Sequence, residues 1–181
     1  MKIIKGLAVF TVFLLFSCLQ NVKKGSSFNG KSAYILGKWN RLDLKTKADT
    51  RWNKRPGCSG VLGKRYFNMT NGNKDDYFFI KVPRGSMDEG YGDKIHQFDI
   101  ACVGGNYYLI NSSVLKLKYS FLPGKILLLP IISWGSDGHE IKSMEVVSDK
   151  KEYQKLVSDF YKQYPDFKDR EISSLSGKDI L

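Results

Sequence analysis

From Ala33 onward, short apolar segments alternate with turn residues along most of the chain, and this regularity limits the possible folds. Most segments are shorter than a typical helix, and Gly, Asn, Asp or Pro separates each one from the next. Such spacing is typical of antiparallel strands joined by turns. We expect eight strands, at 34–44, 64–69, 77–82, 95–103, 107–111, 114–121, 126–133 and 141–148.

Two of these segments alternate between apolar and polar residues with a period of two. This period places the apolar side chains of a strand on one face, which we expect to point inwards. Five of the inward-facing residues are candidates to line the interior, namely Phe98, Ile100, Leu115, Leu117 and Tyr119.

A helical pattern follows the last of the eight strands. Asp149 is a suitable N-cap and Pro165 a suitable end, so we expect a helix at about 150–164. Its apolar residues form one stripe at helical spacing, namely Tyr153, Leu156, Val157, Phe160, Tyr161 and Tyr164. We therefore predict a mainly β fold in which this amphipathic α-helix packs on the sheet that includes 126–133. Strands in hairpin order predict an antiparallel up-and-down β-barrel, and a β-sandwich is the alternative.

The N-terminus has the composition of a secretory signal. Lys2 and Lys5 accompany the apolar run 7–16, which is too short to span a membrane. The sequence Leu15-Phe16-Ser17-Cys18 resembles the lipobox of bacterial lipoproteins, in which the signal is removed before an acylated cysteine. The resemblance implies that residues 1–17 are a signal peptide and that Cys18 is a lipid anchor. An ordinary signal peptide that ends near a cysteine is the alternative.

Residues 18–32 are polar and rich in Gly and Ser beyond the cysteine, which predicts a flexible tether. Residues 33–181 then form a single domain that includes the late helix. Removal of residues 1–17 lowers the formal net charge from +11 to +9, because that segment contains two lysines and no acid. A surface this basic favours anionic neighbours such as lipid headgroups or an acidic protein. Nucleic acid is excluded as the expected partner, because no basic recognition helix or RNA-binding motif is present.

Two cysteines lie beyond the lipobox, at Cys58 and Cys102. In an exported protein we expect such a pair to form a disulfide, which would stabilise the fold by about 4 kcal/mol at most. Two buried thiols are the alternative. A redox-active pair is disfavoured because the spacing is not Cys-x-x-Cys.

Gly37-Lys38-Trp39, near the start of the first predicted strand, resembles the Gly-x-Trp motif of bacterial lipocalin-like lipoproteins. The resemblance implies that Gly37 lets the chain turn into the first strand and that Trp39 closes one end of a barrel. The late helix would pack outside that barrel, as in the family. The chain lacks the family's Thr-Asp-Tyr turn, and Arg170 is its sole candidate for the late arginine that lies across the tryptophan. A core tryptophan of another β fold is the alternative role for Trp39.

Candidate catalytic groups are few. His96 and His139 are far apart in sequence. The stretch Asp137-Gly138-His139-Glu140 is typical of a hairpin turn, and the sequence contains no second cluster of ligands that would complete a metal site with it. Neither a Gly-x-Ser-x-Gly elbow nor a phosphate-binding glycine loop occurs. We therefore expect no enzymatic activity, no metal site and no cofactor.

Two functional hypotheses follow for a lipid-anchored protein of the bacterial envelope. The first is that the barrel binds a small hydrophobic or amphipathic ligand, lined by the five inward-facing residues named above. The second is a protein-interaction module, such as an inhibitor or an immunity-type lipoprotein, in which a long basic loop at 45–62 contacts an acidic partner. Its candidate contact residues are Arg51, Trp52, Lys54 and Arg55. Leu19 after the lipobox cysteine resembles the pattern of lipoproteins sent to the outer membrane in Gram-negative cells, which implies that location over the cytoplasmic membrane.

Overall fold

The computed structural model describes residues 19–43, 57–63, 65–69, 77–82, 94–103, 109–136 and 141–175. These residues form a mainly β protein with one α-helix, which confirms the predicted class. The helix, α1, spans Lys150–Gln163 and precedes a 3₁₀ turn at Pro165–Phe167. The strands are β1 (Ala33–Gly37), β2 (Trp39–Asp43), β3 (Gly57–Leu62), β4 (Arg65–Phe67), β5 (Phe78–Val82), β6 (Lys94–Val103), β7 (Leu109–Tyr119), β8 (Ile126–Leu128), β9 (Ile132–Ser136), β10 (Ile141–Val146) and β11 (Ile172–Ser174).

The strands form three sheets. The first has the order β11-β8-β1-β5, the second β10-β9-β2 and the third β4-β3-β6-β7. None of these sheets closes on itself through the described strands. The prediction that all neighbours are antiparallel was wrong, since β8 pairs in parallel with β1 and β11, and β9 pairs in parallel with β2. Turn residues in the sequence predict hairpins between neighbouring strands. Parallel strands are joined by a long crossover connection, and no short sequence pattern identifies which strands pair in this way.

Strand boundaries also differ from the predicted ones. Residues 57–62, assigned from the sequence to a long loop, form β3, whose partners on both sides are β4 and β6. These residues contain few apolar side chains, so their sequence only weakly predicts a strand. Pairing with the neighbouring strands stabilises the extended conformation. The two strands predicted at 107–111 and 114–121 form a continuous β7 within 109–119.

Two chain segments pass from the first sheet into the second. Only Lys38 separates β1 from β2, and three residues around Pro130 separate β8 from β9. The segments stay paired through the bend, because Leu36 O accepts a hydrogen bond from Leu129 N at 2.9 Å and Lys38 O accepts one from Ile132 N at 3.0 Å. Two of the predicted strands are therefore each divided between two sheets.

The first sheet is covered on both faces. Alternate residues such as Ile35 and Ile80 belong to a cluster with Trp39 and residues of the other two sheets, here called the inner core. The intervening residues, such as Leu36, belong to a second cluster, here called the helix core. The helix core contains the side chain of Phe160 from α1. The period of two along each strand therefore divides the apolar side chains between two cores.

The helix begins and ends close to its predicted limits. Asp149 Oδ1 accepts a hydrogen bond from Lys151 N at 2.8 Å, so the aspartate caps the first turn. The ring centroid of Phe160 lies 4.7 Å from that of Phe79 in β5, in an edge-to-face arrangement. Within the described residues, no helix has both the length and the apolar character needed to cross a membrane.

Candidate functional site

The five candidate ligand contacts lie in or against the inner core. Phe98, Ile100, Leu115 and Leu117 are buried, and Tyr119 is partly buried against them. The β6–β7 register pairs Phe98 with Leu115, which confirms that the predicted faces coincide. These side chains pack with aromatic rings from β2, β4 and β5. Their role as ligand contacts stays a prediction.

Gly37 and Trp39 lie on either side of the bend between the first and second sheets. Gly37 is the last residue of β1, so the implied turn into the first strand was wrong. A Cβ atom at Gly37 would lie 2.4 Å from Cζ of Phe78, so the glycine makes room for that ring. Trp39 is buried in the inner core, with its ring centroid 5.1 Å from that of Phe78 in a T-shaped contact.

The two candidate disulfide cysteines are direct register partners. Cys58 in β3 lies opposite Cys102 in the antiparallel neighbour β6. Opposed Cα atoms in such a pair are about 4.5–5.5 Å apart, within the usual range for a disulfide. The register is compatible with the predicted bond, which stays a prediction. Residues Cys18, Arg51, Trp52, Lys54 and Arg55 lie outside the described residues.

The chain before β1 contacts two sheets. Leu19 is buried in the inner core, and its N donates a hydrogen bond to Tyr66 O of β4 at 2.8 Å. Val22 is buried in the helix core, and its N donates one to Phe79 O of β5 at 2.8 Å. Tyr164 Oη donates a further bond to Val22 O at 2.7 Å. These contacts correct the predicted flexible tether over this part of 18–32. Isolated apolar residues in a polar stretch have no period from which their burial could be read.

The second half of this stretch is also packed. The ring centroid of Phe28 lies 5.4 Å from that of Phe167, in an edge-to-face contact. The guanidinium carbon of Arg170 lies 4.2 Å from the centroid of the Phe28 ring, a cation–π arrangement. Arg170, the sole candidate for the family's late arginine, therefore lies over the ring of Phe28. Asn29 N donates to Tyr34 Oη at 2.9 Å, which fixes the start of β1.

A cavity of about 210 Å³ opens between this N-terminal stretch and the first sheet. Two lysines and two serines line it together with other polar groups, and none of the described residues that line it is acidic. The lining residues are Gln20, Asn21, Val22, Lys23, Ser26, Ser27, Tyr34 and Lys81. We call this cavity the basic cavity; its lining suits an anion.

Leu19 lines a second, smaller cavity. It has a volume of about 130 Å³ and is also lined by Tyr66, which is 45 % exposed. Asn21 Nδ2 donates a hydrogen bond to Asn68 O at 3.2 Å, which links the N-terminal stretch to the lining of this cavity. The N-terminal stretch therefore contributes residues to both cavities.

The outward side of the third sheet presents a second candidate surface. Ile95 is 63 % exposed and is the register partner of Lys118. Gln97, also exposed, is the partner of Lys116, and both lysines are exposed. We call these four residues the β6–β7 face. An exposed aliphatic side chain among cations and an amide is suited to contact with a protein.

The described ionisable groups do not converge on a reaction centre. His96 is buried, and its Nε2 lies 2.8 Å from the backbone oxygen of Tyr119, which is a structural contact. A hydrogen bond from Lys125 and its charge hold the pKa of the exposed Glu171 carboxyl below its usual value. His139 lies outside the described residues, and those that are described contain no group of three or more potential metal ligands.

No family model, curated protein or solved structure matches the chain. The resemblance to lipocalin-like lipoproteins therefore rests on the sequence motifs alone. The function must be inferred from the basic cavity, the β6–β7 face and the packing of the inner core.

Proposed function

We propose that this chain is a lipid-anchored, non-enzymatic protein of the bacterial envelope that binds an acidic protein partner through the β6–β7 face. The observation that supports this most directly is the exposure of Ile95, 63 % of whose surface contacts solvent on the face that also presents Lys116. A protein interface combines apolar contact at its centre with charged residues around it. The β6–β7 face has both components on adjacent strands.

The charge of the chain fits an acidic partner. Without residues 1–17 the formal net charge is +9, and a net charge of this size attracts an anionic protein and speeds its association. Asp99 is the acid adjacent to the β6–β7 face, and its Oδ1 accepts a hydrogen bond from Gln97 Nε2 at 2.9 Å. That carboxylate is buried, and it offsets part of the positive charge that the two lysines present to a partner.

The position of the face is compatible with a lipid anchor at Cys18. The residue after the cysteine, Leu19, contacts β4, whereas β7 is at the opposite edge of the third sheet. A membrane beside β4 would leave the outward side of β6 and β7 accessible. With no aspartate after the cysteine, the outer membrane is the proposed location in a Gram-negative cell.

A barrel-like arrangement is part of the proposal. The stretch 19–22 links the third sheet to the first by hydrogen bonds, the two bent segments link the first to the second, and β10 approaches β7. The three sheets together would then surround the inner core. Because that core holds the five candidate ligand contacts against one another, partner binding is better supported than a ligand inside the barrel.

The test is quantitative affinity purification of the full acylated protein from membranes of its own host. Ile95→Asp and Lys116→Glu are expected to lower recovery of an acidic partner at least tenfold, because they reverse the two properties of the β6–β7 face. Lys150→Glu, an exposed charge reversal on α1, is the matched control and should retain the partner.

Equal recovery of every co-purified protein by the wild type and both β6–β7 variants would contradict the proposal. Native mass spectrometry and organic extraction of the same samples test the alternative. An apolar molecule that remains bound to the Ile95→Asp variant would favour a ligand-binding protein instead.

A further inference from the structure

The proposed anchor leaves almost no free chain between lipid and fold. Leu19 is buried, and its amide is bonded to the backbone of β4. Cys18 is the preceding residue, so its Cα lies about 3.8 Å from that of Leu19. Acyl chains on Cys18 would therefore be attached within one residue of the folded domain.

We propose that the domain lies directly against the membrane with its N-terminal stretch facing the lipid, and that the basic cavity receives the phosphate of an anionic lipid headgroup. This inference rests on the lipid anchor of the proposed function. It adds an orientation for the domain and a second, reversible contact with the bilayer.

The chemistry of the basic cavity matches a headgroup phosphate. Lys23 and Lys81 supply ammonium groups, and the hydroxyls of Ser26 and Ser27 are further donors to phosphate oxygens. The volume of about 210 Å³ exceeds what a single water molecule needs. The described part of the lining contains no carboxylate that would repel the phosphate.

The position of the basic cavity matches the headgroup layer. Gln20, one of its lining residues, is two residues from Cys18, so their Cα atoms are at most about 7 Å apart. Acyl chains that enter the bilayer at Cys18 would hold the cavity at the level of the headgroups.

The smaller cavity, which Leu19 itself lines, supplies an independent observation. Tyr66, 45 % exposed, lines this cavity with Asn68. Tyrosine has an apolar ring and a polar hydroxyl, which suit the boundary between headgroups and acyl chains. The cavity lined by the residue next to the proposed anchor therefore presents a side chain typical of membrane interfaces.

Lysine footprinting of the full acylated protein tests this orientation. The protein is placed in detergent, in phosphatidylcholine vesicles and in phosphatidylcholine vesicles containing phosphatidylglycerol, and amine acetylation is quantified by mass spectrometry. Lys23 and Lys81 should be protected about fivefold or more by the anionic vesicles relative to detergent, because each ammonium would bind a headgroup. Lys116 on β7 and Lys150 on α1 should react equally in all three samples.

A variant with a carboxylate in the cavity sharpens the test. Ser26→Glu should abolish the protection of Lys81 in anionic vesicles, whereas Ser158→Glu on the exposed side of α1 should leave it unchanged. The two variants carry the same change in charge, so a different result identifies the cavity and not the net charge.

Other outcomes would overturn the inference in distinct ways. Equal reactivity of Lys23 and Lys81 in detergent and in anionic vesicles would exclude membrane docking, and equal protection in both vesicle types would exclude an anionic headgroup. Protection in detergent by inorganic phosphate alone, to the same extent, would identify a free anion as the ligand. A mature protein whose mass shows no acyl chains would instead overturn the proposed anchor itself.

Discussion

At two strand positions, glycine determines how closely an aromatic ring approaches the backbone. A Cβ atom at Gly60 would lie 2.2 Å from Cζ of Phe67, and one at Gly37 would lie 2.4 Å from Cζ of Phe78. Both rings are buried in the inner core, where close packing leaves them little space to move. The absence of a side chain at these glycines is therefore a packing requirement.

Gly37→Ala and Gly60→Ala should each lower the free energy of unfolding by about 1–3 kcal/mol, because the added methyl displaces a buried ring. Gly30→Ala is the matched control, since its Cβ would make an ordinary contact at 3.6 Å with Phe28. The control should change stability by less than about 0.5 kcal/mol. Urea unfolding of the three variants measures the difference. A cost at Gly60 no larger than at Gly30 would show that the ring moves freely.

The Gly-x-Trp likeness drew attention to Gly37 and Trp39 but assigned Gly37 the wrong role. A short sequence motif can identify a residue that is important for packing. The contacts of that residue then show which structural role it has. Phe78 is 41 positions from Gly37 in the chain, and no local pattern connects the two.

At the scale of the elements, the pairing of β3 with β6 determines how the two cysteines are placed relative to one another. The register places Cys58 opposite Cys102, although the sequence assigned Cys58 to a loop. The pairing of β3 with β6 supplies what sequence spacing could not, namely the relative position of two strands about forty residues apart.

We expect the mature protein to contain a Cys58–Cys102 disulfide. An unreduced proteolytic digest should contain the two cysteine peptides linked to one another. Replacement of both residues by serine should lower the free energy of unfolding by up to about 4 kcal/mol, because the bond restricts the unfolded chain. Thermal unfolding with and without reductant is a second readout. If the digest of unreduced protein contains only separate peptides with free thiols, the prediction fails.

The helix and the sheets differ in how well the sequence predicts them. The limits of α1 follow from Asp149, from a stripe of apolar residues and from Pro165, all of which act within a few turns of chain. The parallel pairing of β8 with β1 has no comparable signal, because nearly ninety residues separate the two strands.

In the molecule as a whole, the N-terminal stretch acts as a connection between sheets. Leu19 belongs to the inner core and Val22 to the helix core, although three positions separate them in sequence. A single short stretch thus contributes to both apolar clusters.

Leu19→Ala and Val22→Ala should each lower the free energy of unfolding by about 2 kcal/mol or more, because each removes buried apolar volume. Gln20→Ala, at an exposed position between them, should change it by less than about 0.5 kcal/mol. Chemical denaturation of the three variants in the same detergent measures the effect. A flexible tether would give three equal values near zero.

The mainly β class, the late helix and the inward faces of β6 and β7 could be predicted from the sequence. These properties depend on the side-chain period of each element, which is local. Four other properties follow only from the assembled fold: the parallel pairing of β8, the division of two segments between sheets, the register of the cysteines and the burial of Leu19 and Val22. Each of these properties depends on contacts between distant parts of the chain. Such contacts form because they bury apolar surface and pair backbone groups that a single segment cannot bury or pair alone.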